Sequence, residues 1–103
     1  MTVKYTAVLL SPAEKYLSDL PTKEQAKISA DINSLEMGYF EEVFTKQLEG
    51  PIRELISGPH RMSYFLHSKM FYFIEGWRKK TKKTPKKFIE FAKKIYAQQT
   101  KKR

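Results

Sequence analysis

The sequence predicts an α+β domain. A small, mainly antiparallel sheet carries an N-terminal helical hairpin and is closed by a C-terminal amphipathic helix, in the order β-α-α-β-β-β-α. Three observations carry that expectation. Two aromatic-rich runs, Arg61 to His67 and Met70 to Trp77, are split only by Ser68-Lys69, which is hairpin spacing. Proline marks two helix starts, at Ser11-Pro12 and at Pro21-Thr22, each ahead of apolar residues at helical spacing. Thr84-Pro85 opens a third segment, where Phe88, Ile89, Phe91, Ala92, Ile95 and Tyr96 share one side and Lys86, Lys87, Glu90, Lys93 and Lys94 the other.

Taken in order, Val3 to Leu10 is short, β-branched and apolar enough for a strand, and it stops at Ser11-Pro12. Ser11 fits an N-cap, Pro12 the first helical position, and Glu14 the far end of a capping box, with Ala13, Tyr16, Leu17 and Leu20 as the apolar face. Thr22 and Gln25 repeat the box pattern before Ile28, Ile32 and Leu35, and Gly38 is the expected stop. From Gly38 to Gly50 no regular pattern shows. Ile52 to Ser57 is the next strand, ended by Gly58-Pro59. In the following strand, alternation puts Arg61, Ser63, Phe65 and His67 on one face and Met62, Tyr64 and Leu66 on the other. Ser-Lys is not a favoured two-residue turn, so the hairpin register stays open.

A chain of 103 residues is about one domain, expected to span 1–103, and 41% hydrophobic with 14% aromatic residues is the composition of a folded chain. There is no cysteine, which excludes disulfides, thiolate metal sites and cysteine nucleophiles and permits a reducing compartment. Neither a signal peptide nor a membrane span is visible, so a soluble cytoplasmic protein is expected. His60 and His67 stand seven apart with no carboxylate cluster at ligand spacing, the four glycines are scattered, and no G-x-S-x-G occurs. No metal or other cofactor is expected, and cationic chemistry is what remains.

The charge is strongly polar along the chain. Residues 1–50 hold five lysines and eight acids, and residues 51–103 hold fifteen Lys/Arg and three acids, for +9 overall. Such asymmetry points to a polyanion: nucleic acid, an anionic membrane surface or an acidic protein. Arg61, on an aromatic strand, is either an ordinary surface residue or a guanidinium fork that clamps phosphate. Arg53 either contacts the polyanion or pairs with Glu54 or the acidic helices. Arg78, Lys79, Lys80, Lys82 and Lys83 lie between the last strand and the capped helix, where a loop can gather cations. Lys86 and Lys87, like Lys93 and Lys94, form an exposed helix side that can add phosphate contacts, and Lys101, Lys102 and Arg103 read as a tail. Trp77, Tyr72, Tyr64 and the phenylalanines are core residues first and base-stacking candidates second.

Between Gly50 and Ala92 these residues also carry a resemblance. Arg53-Glu54-Leu55-Ile56, His60-Arg61, Glu75-Gly76-Trp77-Arg78-Lys79-Lys80 and Thr81-Lys82-Lys83-Thr84-Pro85 resemble the phage-derived branch of the RelE/HigB toxin superfamily. That branch shows an E-L-R strand, a Tyr-Arg opening the next strand, and H-G-F-x-K-K-x-x-K-T-P running into a helix; Lys79 to Pro85 matches its last part in full. The resemblance implies a RelE-like fold and a toxin that cuts mRNA in the ribosomal A site without a metal. It also implies an antitoxin partner, usually a helix-turn-helix DNA-binding protein. Arg61 matches the family's strand arginine, Lys79 and Lys80 its paired lysines, and Lys83 the lysine before Thr-Pro. Three positions depart from the pattern: Ile56 replaces an arginine, His60 a tyrosine and Glu75 a histidine. The first removes a cation and the third adds a negative charge beside the proposed site, which lowers the expected activity. Arg53, three positions from Ile56, falls on the other strand face.

RNA cleavage by its own 2′-hydroxyl needs a base, cations for the pentacoordinate phosphate, and an acid at the leaving 5′-oxygen. Arg61 is the expected phosphate clamp. Neighbouring positive charges disfavour each other's charged form, which nominates Lys80 or Lys79 for proton transfer, and His60 is the alternative if it points into the same site. The competing reading is a non-catalytic RNA- or DNA-binding module in which the same cations only hold phosphates. A membrane-surface helix over Thr84 to Gln99 is disfavoured, because its apolar side is needed to cover the sheet.

Overall fold

A computed structural model of the chain describes residues 4–101. Its elements are β1 (Thr6–Leu9), α1 (Ser11–Ser18), α2 (Thr22–Glu36), a short 3-10 turn (Phe40–Glu42), β2 (Phe44–Glu49), β3 (Ile52–Ser57), β4 (His60–His67), β5 (Met70–Arg78) and α3 (Lys86–Lys101). The strands form one sheet in the order β1-β5-β4-β3-β2. β1 runs parallel to β5 and the other neighbours are antiparallel. The expected α+β class therefore holds, with a fifth strand where no pattern was expected. Val3, Lys102 and Arg103 lie outside the described residues.

Both helix-start expectations need correction. α1 is capped by the backbone of Leu10 and α2 by that of Pro21, and neither has a side-chain cap bond. Ser11 and Thr22 already lie inside their helices. Gln25 does not close a capping box; its amide donates to the carbonyls of Ser18 and Leu20 at 3.2 and 2.9 Å, tying α2 to the end of α1. The stop at Gly38 is as expected. Its φ of +86° lets Gly38 and Tyr39 donate to Leu35 and Ser34, which satisfies carbonyls that the helix end leaves over.

Two cores cover the two sheet faces. Ala13, Ile28, Ile32 and Leu35 of the helical hairpin pack on Leu55, Met62, Tyr64, Phe71 and Phe73. On the opposite face, Ala92 with Phe91, Ile95 and Tyr96 of α3 covers Ile52, Phe65 and Ile74. The amphipathic division of α3 is the one its sequence periodicity requires. β4 and β5 turn at Ser68 and Lys69, both with positive φ, and pair His67 with Met70. A bulge in β5 between Phe73 and Glu75 keeps Ile74 on the α3 side.

Candidate active site

The strand registers align side chains in transverse rows on the α3 face. Phe44, Ile56, Arg61 and Trp77 form one row across β2, β3, β4 and β5; Lys46, Glu54, Ser63 and Glu75 form the next. The body of α3 covers only the far rows. Between its first turn, the loop at 79–85 and these near rows lies a cleft of about 350 Å³.

At the cleft floor sits Arg61, 9% exposed, beside Glu54, 3% exposed. Arg61 Nη1 donates to the carbonyls of Gly58 and His60 at 2.7 and 3.0 Å, and Nε lies 3.7 Å from Glu54 Oε2. The other Glu54 oxygen accepts the Thr84 hydroxyl at 2.7 Å. A buried ion pair is costly unless its remaining donors and acceptors are satisfied. Here the β3–β4 turn and the start of α3 do that, so the guanidinium is fixed rather than freely solvated. Of the two sequence readings of Arg61, an ordinary surface residue is the one the burial removes.

The wall is the Trp77 indole, stacked on Phe88 with centroids 4.1 Å apart and planes 9° from parallel. The rim is cationic: Lys79, Lys80, Lys82 and Lys83 come from the loop, Lys87 from α3 and Lys46 from β2. Lys79 N–H donates to the Pro59 carbonyl at 2.8 Å and the Thr84 hydroxyl to Glu54, which pins the loop at both ends, and within it the Thr81 hydroxyl donates to the Lys83 carbonyl at 2.6 Å. Arg78, at the exposed end of β5, also borders the cleft, whereas Lys86 is exposed on α3 and does not line it. Glu75 lies in the second row. Burial pushes its carboxyl above the ordinary carboxylate value, and the nearby Lys87 ammonium opposes that shift.

Two further residues proposed from sequence, His60 and Arg53, lie on the opposite face from this cleft. His60 precedes Arg61 and so faces the helical hairpin. It is 2% exposed, with Nδ1 2.6 Å from the Tyr16 hydroxyl and Nε2 2.6 Å from Glu24 Oε1. Burial pushes the Tyr16 phenol above its ordinary value, Arg78 opposes this and Glu24 adds to it. The Glu24 carboxylate accepts the Nε2–H, and the Tyr16 hydroxyl shares the hydrogen bond at Nδ1. Arg53 likewise lies on the hairpin face, where Nη2 donates to the Thr45 hydroxyl at 3.0 Å beside Tyr64, Leu66 and Phe71. It does not pair with Glu54, which points the other way.

Glu54, Lys46 and Thr84 were not among the sequence candidates. Glu54 shares parity with Ile52 and Ile56, a signal that places it opposite Arg53, but only the β3–β4 register brings it to Arg61. Lys46 needed β2 to be recognised from the alternation Phe44, Lys46, Leu48 before Gly50-Pro51. Among the described residues no three His, Asp or Glu side chains gather as a metal site requires, and no helix is long and apolar enough to cross a membrane.

Residues 15–97, which include every residue lining the cleft, match the profile of the family described as phage derived protein Gp49-like. The chain belongs to this Gp49-like family. That match accords with the phage-derived branch that the resemblance above named. The Gp49-like chain shares its fold with solved structures of low sequence identity. The archaeal RelE–RelB complex from Pyrococcus horikoshii matches with a TM-score of 0.65 at 18% identity, over 73% of this chain and 94% of that one. The toxin–antitoxin complex RelBE2 from Mycobacterium tuberculosis gives 0.59 at 16%, over 75% and 100%. The RelB–RelE antitoxin–toxin complex from Methanococcus jannaschii gives 0.61 at 11%, over 82% and 96%. No curated protein sequence matches this Gp49-like chain.

Proposed function

We propose that this Gp49-like chain is the toxin of a toxin–antitoxin pair and that residues 1–103 act as one cytoplasmic domain. Its activity is metal-independent cleavage of mRNA in the ribosomal A site. The observation that carries the reading is the fixed Arg61–Glu54 pair at the floor of a lysine-rimmed cleft. A phosphate entering there meets Arg61 at the bottom and Lys79, Lys80, Lys82, Lys83 and Lys87 around it. The preset Arg61 guanidinium, with these exposed ammonium groups around it, stabilises charge that grows on phosphorus in the transition state.

In the step itself, the 2′-oxygen attacks the adjacent phosphorus and loses its proton, the bond from phosphorus to the 5′-oxygen breaks, and that oxygen gains a proton. The products are a 2′,3′-cyclic phosphate and a 5′-hydroxyl. Glu54 is the one carboxylate lining the cleft and takes the proton; Lys79 or Lys80 supplies the one for the leaving oxygen. His60, engaged on the far face, takes no part in proton transfer. A site built from exposed lysines and one buried carboxylate orients RNA loosely, which accounts for dependence on the ribosome to align the message.

An antitoxin partner is in keeping with the RelE–RelB complexes that share this fold, and the cationic rim suits an acidic segment of it. The resemblance makes that partner a helix-turn-helix protein. The deciding experiment maps 5′ ends on a reporter mRNA in reconstituted translation, with and without ribosomes, for wild type and Arg61→Ala. Codon-aligned cuts that need ribosomes and vanish in the variant are expected. Intact message together with salt-sensitive RNA binding would instead make the chain a non-catalytic binder, a reading that Ile56, in the place of a cation beside Arg61, favours.

A further inference from the structure

We infer that Phe44 is a stacking platform for an RNA base, set beside the Arg61 phosphate site by the edge strand β2. The inference deepens the function proposed above by naming a contact for the nucleobase where that reading supplies contacts only for phosphate.

Phe44 is 78% exposed, the most exposed large hydrophobic side chain among the described residues. Among the described residues its ring makes no stacking contact with another ring, unlike Trp77 and Phe88. An exposed phenylalanine on a free sheet edge promotes aggregation and does nothing for the core. The opposite edge is treated differently: the Glu36 carboxylate accepts the Ala7 N–H at 2.8 Å and covers β1.

Position gives the exposed ring its meaning. Phe44 pairs with Ile56, and Ile56 pairs with Arg61, so ring and guanidinium lie in one row on one face. They are two strand spacings apart, about 10 Å, which is the scale of a single nucleotide. Ile56 between them is apolar and leaves a shelf rather than a competing charge. Lys46, two residues along the same strand face, lines the cleft and flanks the path. A sheet that offers an unstacked aromatic ring next to fixed cations is suited to single-stranded RNA, whose bases stack on aromatic faces while its phosphates take the charges. The cation-rich setting argues against a purely apolar protein segment as occupant.

The test is a fluorescence titration of the full chain with a short single-stranded oligoribonucleotide carrying 2-aminopurine, moved position by position. Wild type should quench the probe at one position, and Phe44→Ala should lose that quench and bind about tenfold more weakly or worse. Phe44→Trp should keep both, whereas Phe44→Leu, apolar but without a π face, should behave like Phe44→Ala. Because the ring is exposed, all three variants are expected to fold, which circular dichroism checks. Equal affinity and quenching in wild type and Phe44→Ala would overturn the inference while leaving cleavage intact. Loss of a protein complex or of self-association, with RNA binding unchanged, would overturn it in favour of a protein contact. If wild type shows no ribosomal cleavage but the quench depends on Phe44, the proposed enzyme fails and the stacking site stands.

Discussion

The two faces of the sheet divide at a single peptide bond. His60 points toward the helical hairpin and is held between Tyr16 and Glu24, both half-buried. Arg61 points toward α3, held by carbonyls of its own turn and by Glu54 under a rim of lysines. Around His60 the hairpin face is acid-bearing and hydrogen-bonded, and what it leaves open, beside Arg53, is lined mainly by apolar side chains; the α3 face leaves part of its width uncovered and lines it with cations. The difference shows how a small sheet separates stability from binding. Alternation alone sends neighbouring residues into environments of opposite charge.

The largest effect expected from this contrast lies at Arg61. Arg61→Ala should lower ribosomal cleavage by about 100-fold or more, measured by single-turnover cutting, with RNA affinity falling much less. His60→Ala removes the partner of Tyr16 and Glu24 and should cost about 1–3 kcal/mol in urea unfolding, while cleavage per folded molecule falls far less than in Arg61→Ala. An equal loss of cleavage with unchanged stability would return His60 to the chemistry and dissolve the division between faces.

Gly76 sharpens the same point from the hairpin side. A Cβ there would stand 2.4 Å from Tyr16 Cδ2 and 2.7 Å from Cγ, so the ring itself must move. Gly76→Ala is expected to lower stability by about 1–3 kcal/mol, read from the denaturation midpoint.

A smaller effect follows from Glu75 on the α3 face. Its folded pKa is raised by burial, with Lys87 opposing. The folded state therefore binds the proton more tightly than the unfolded one. The contribution is fully present below the unfolded pKa, near 4.3, and is lost as pH rises through the folded value. Glu75→Gln should flatten that part of the stability curve, and an unchanged slope in unfolding series across this range would contradict the assignment. The smallest effect belongs to Arg53. On the wrong face for the cleft, Arg53→Ala should leave RNA affinity and its salt dependence unchanged, whereas Lys83→Ala should reduce the salt slope by about one.

Much of the architecture was legible in the chain. Periodicity placed α2 and α3 and the faces of β4, Gly58-Pro59 ended β3, and the run from Arg78 to Lys83 located the rim of the cleft. β2 escaped because an edge strand needs only one buried side, and here Leu48 and Thr45 are its half-buried positions between exposed ones. The capping boxes at Ser11 and Thr22 were locally plausible patterns that lost to backbone capping and to the Gln25 tie between helices.

By itself the sequence determined what depends on neighbours along the chain: element types, the two faces of each strand, the charge asymmetry and the absence of thiol chemistry. Tertiary structure alone decided which strands pair and in what register. That register sets Glu54 beside Arg61, Lys46 on the rim and Phe44 in the Arg61 row, and sends His60 to the opposite side. Such contacts join residues far apart in sequence, through hydrogen-bonded strand pairing that no local spacing encodes.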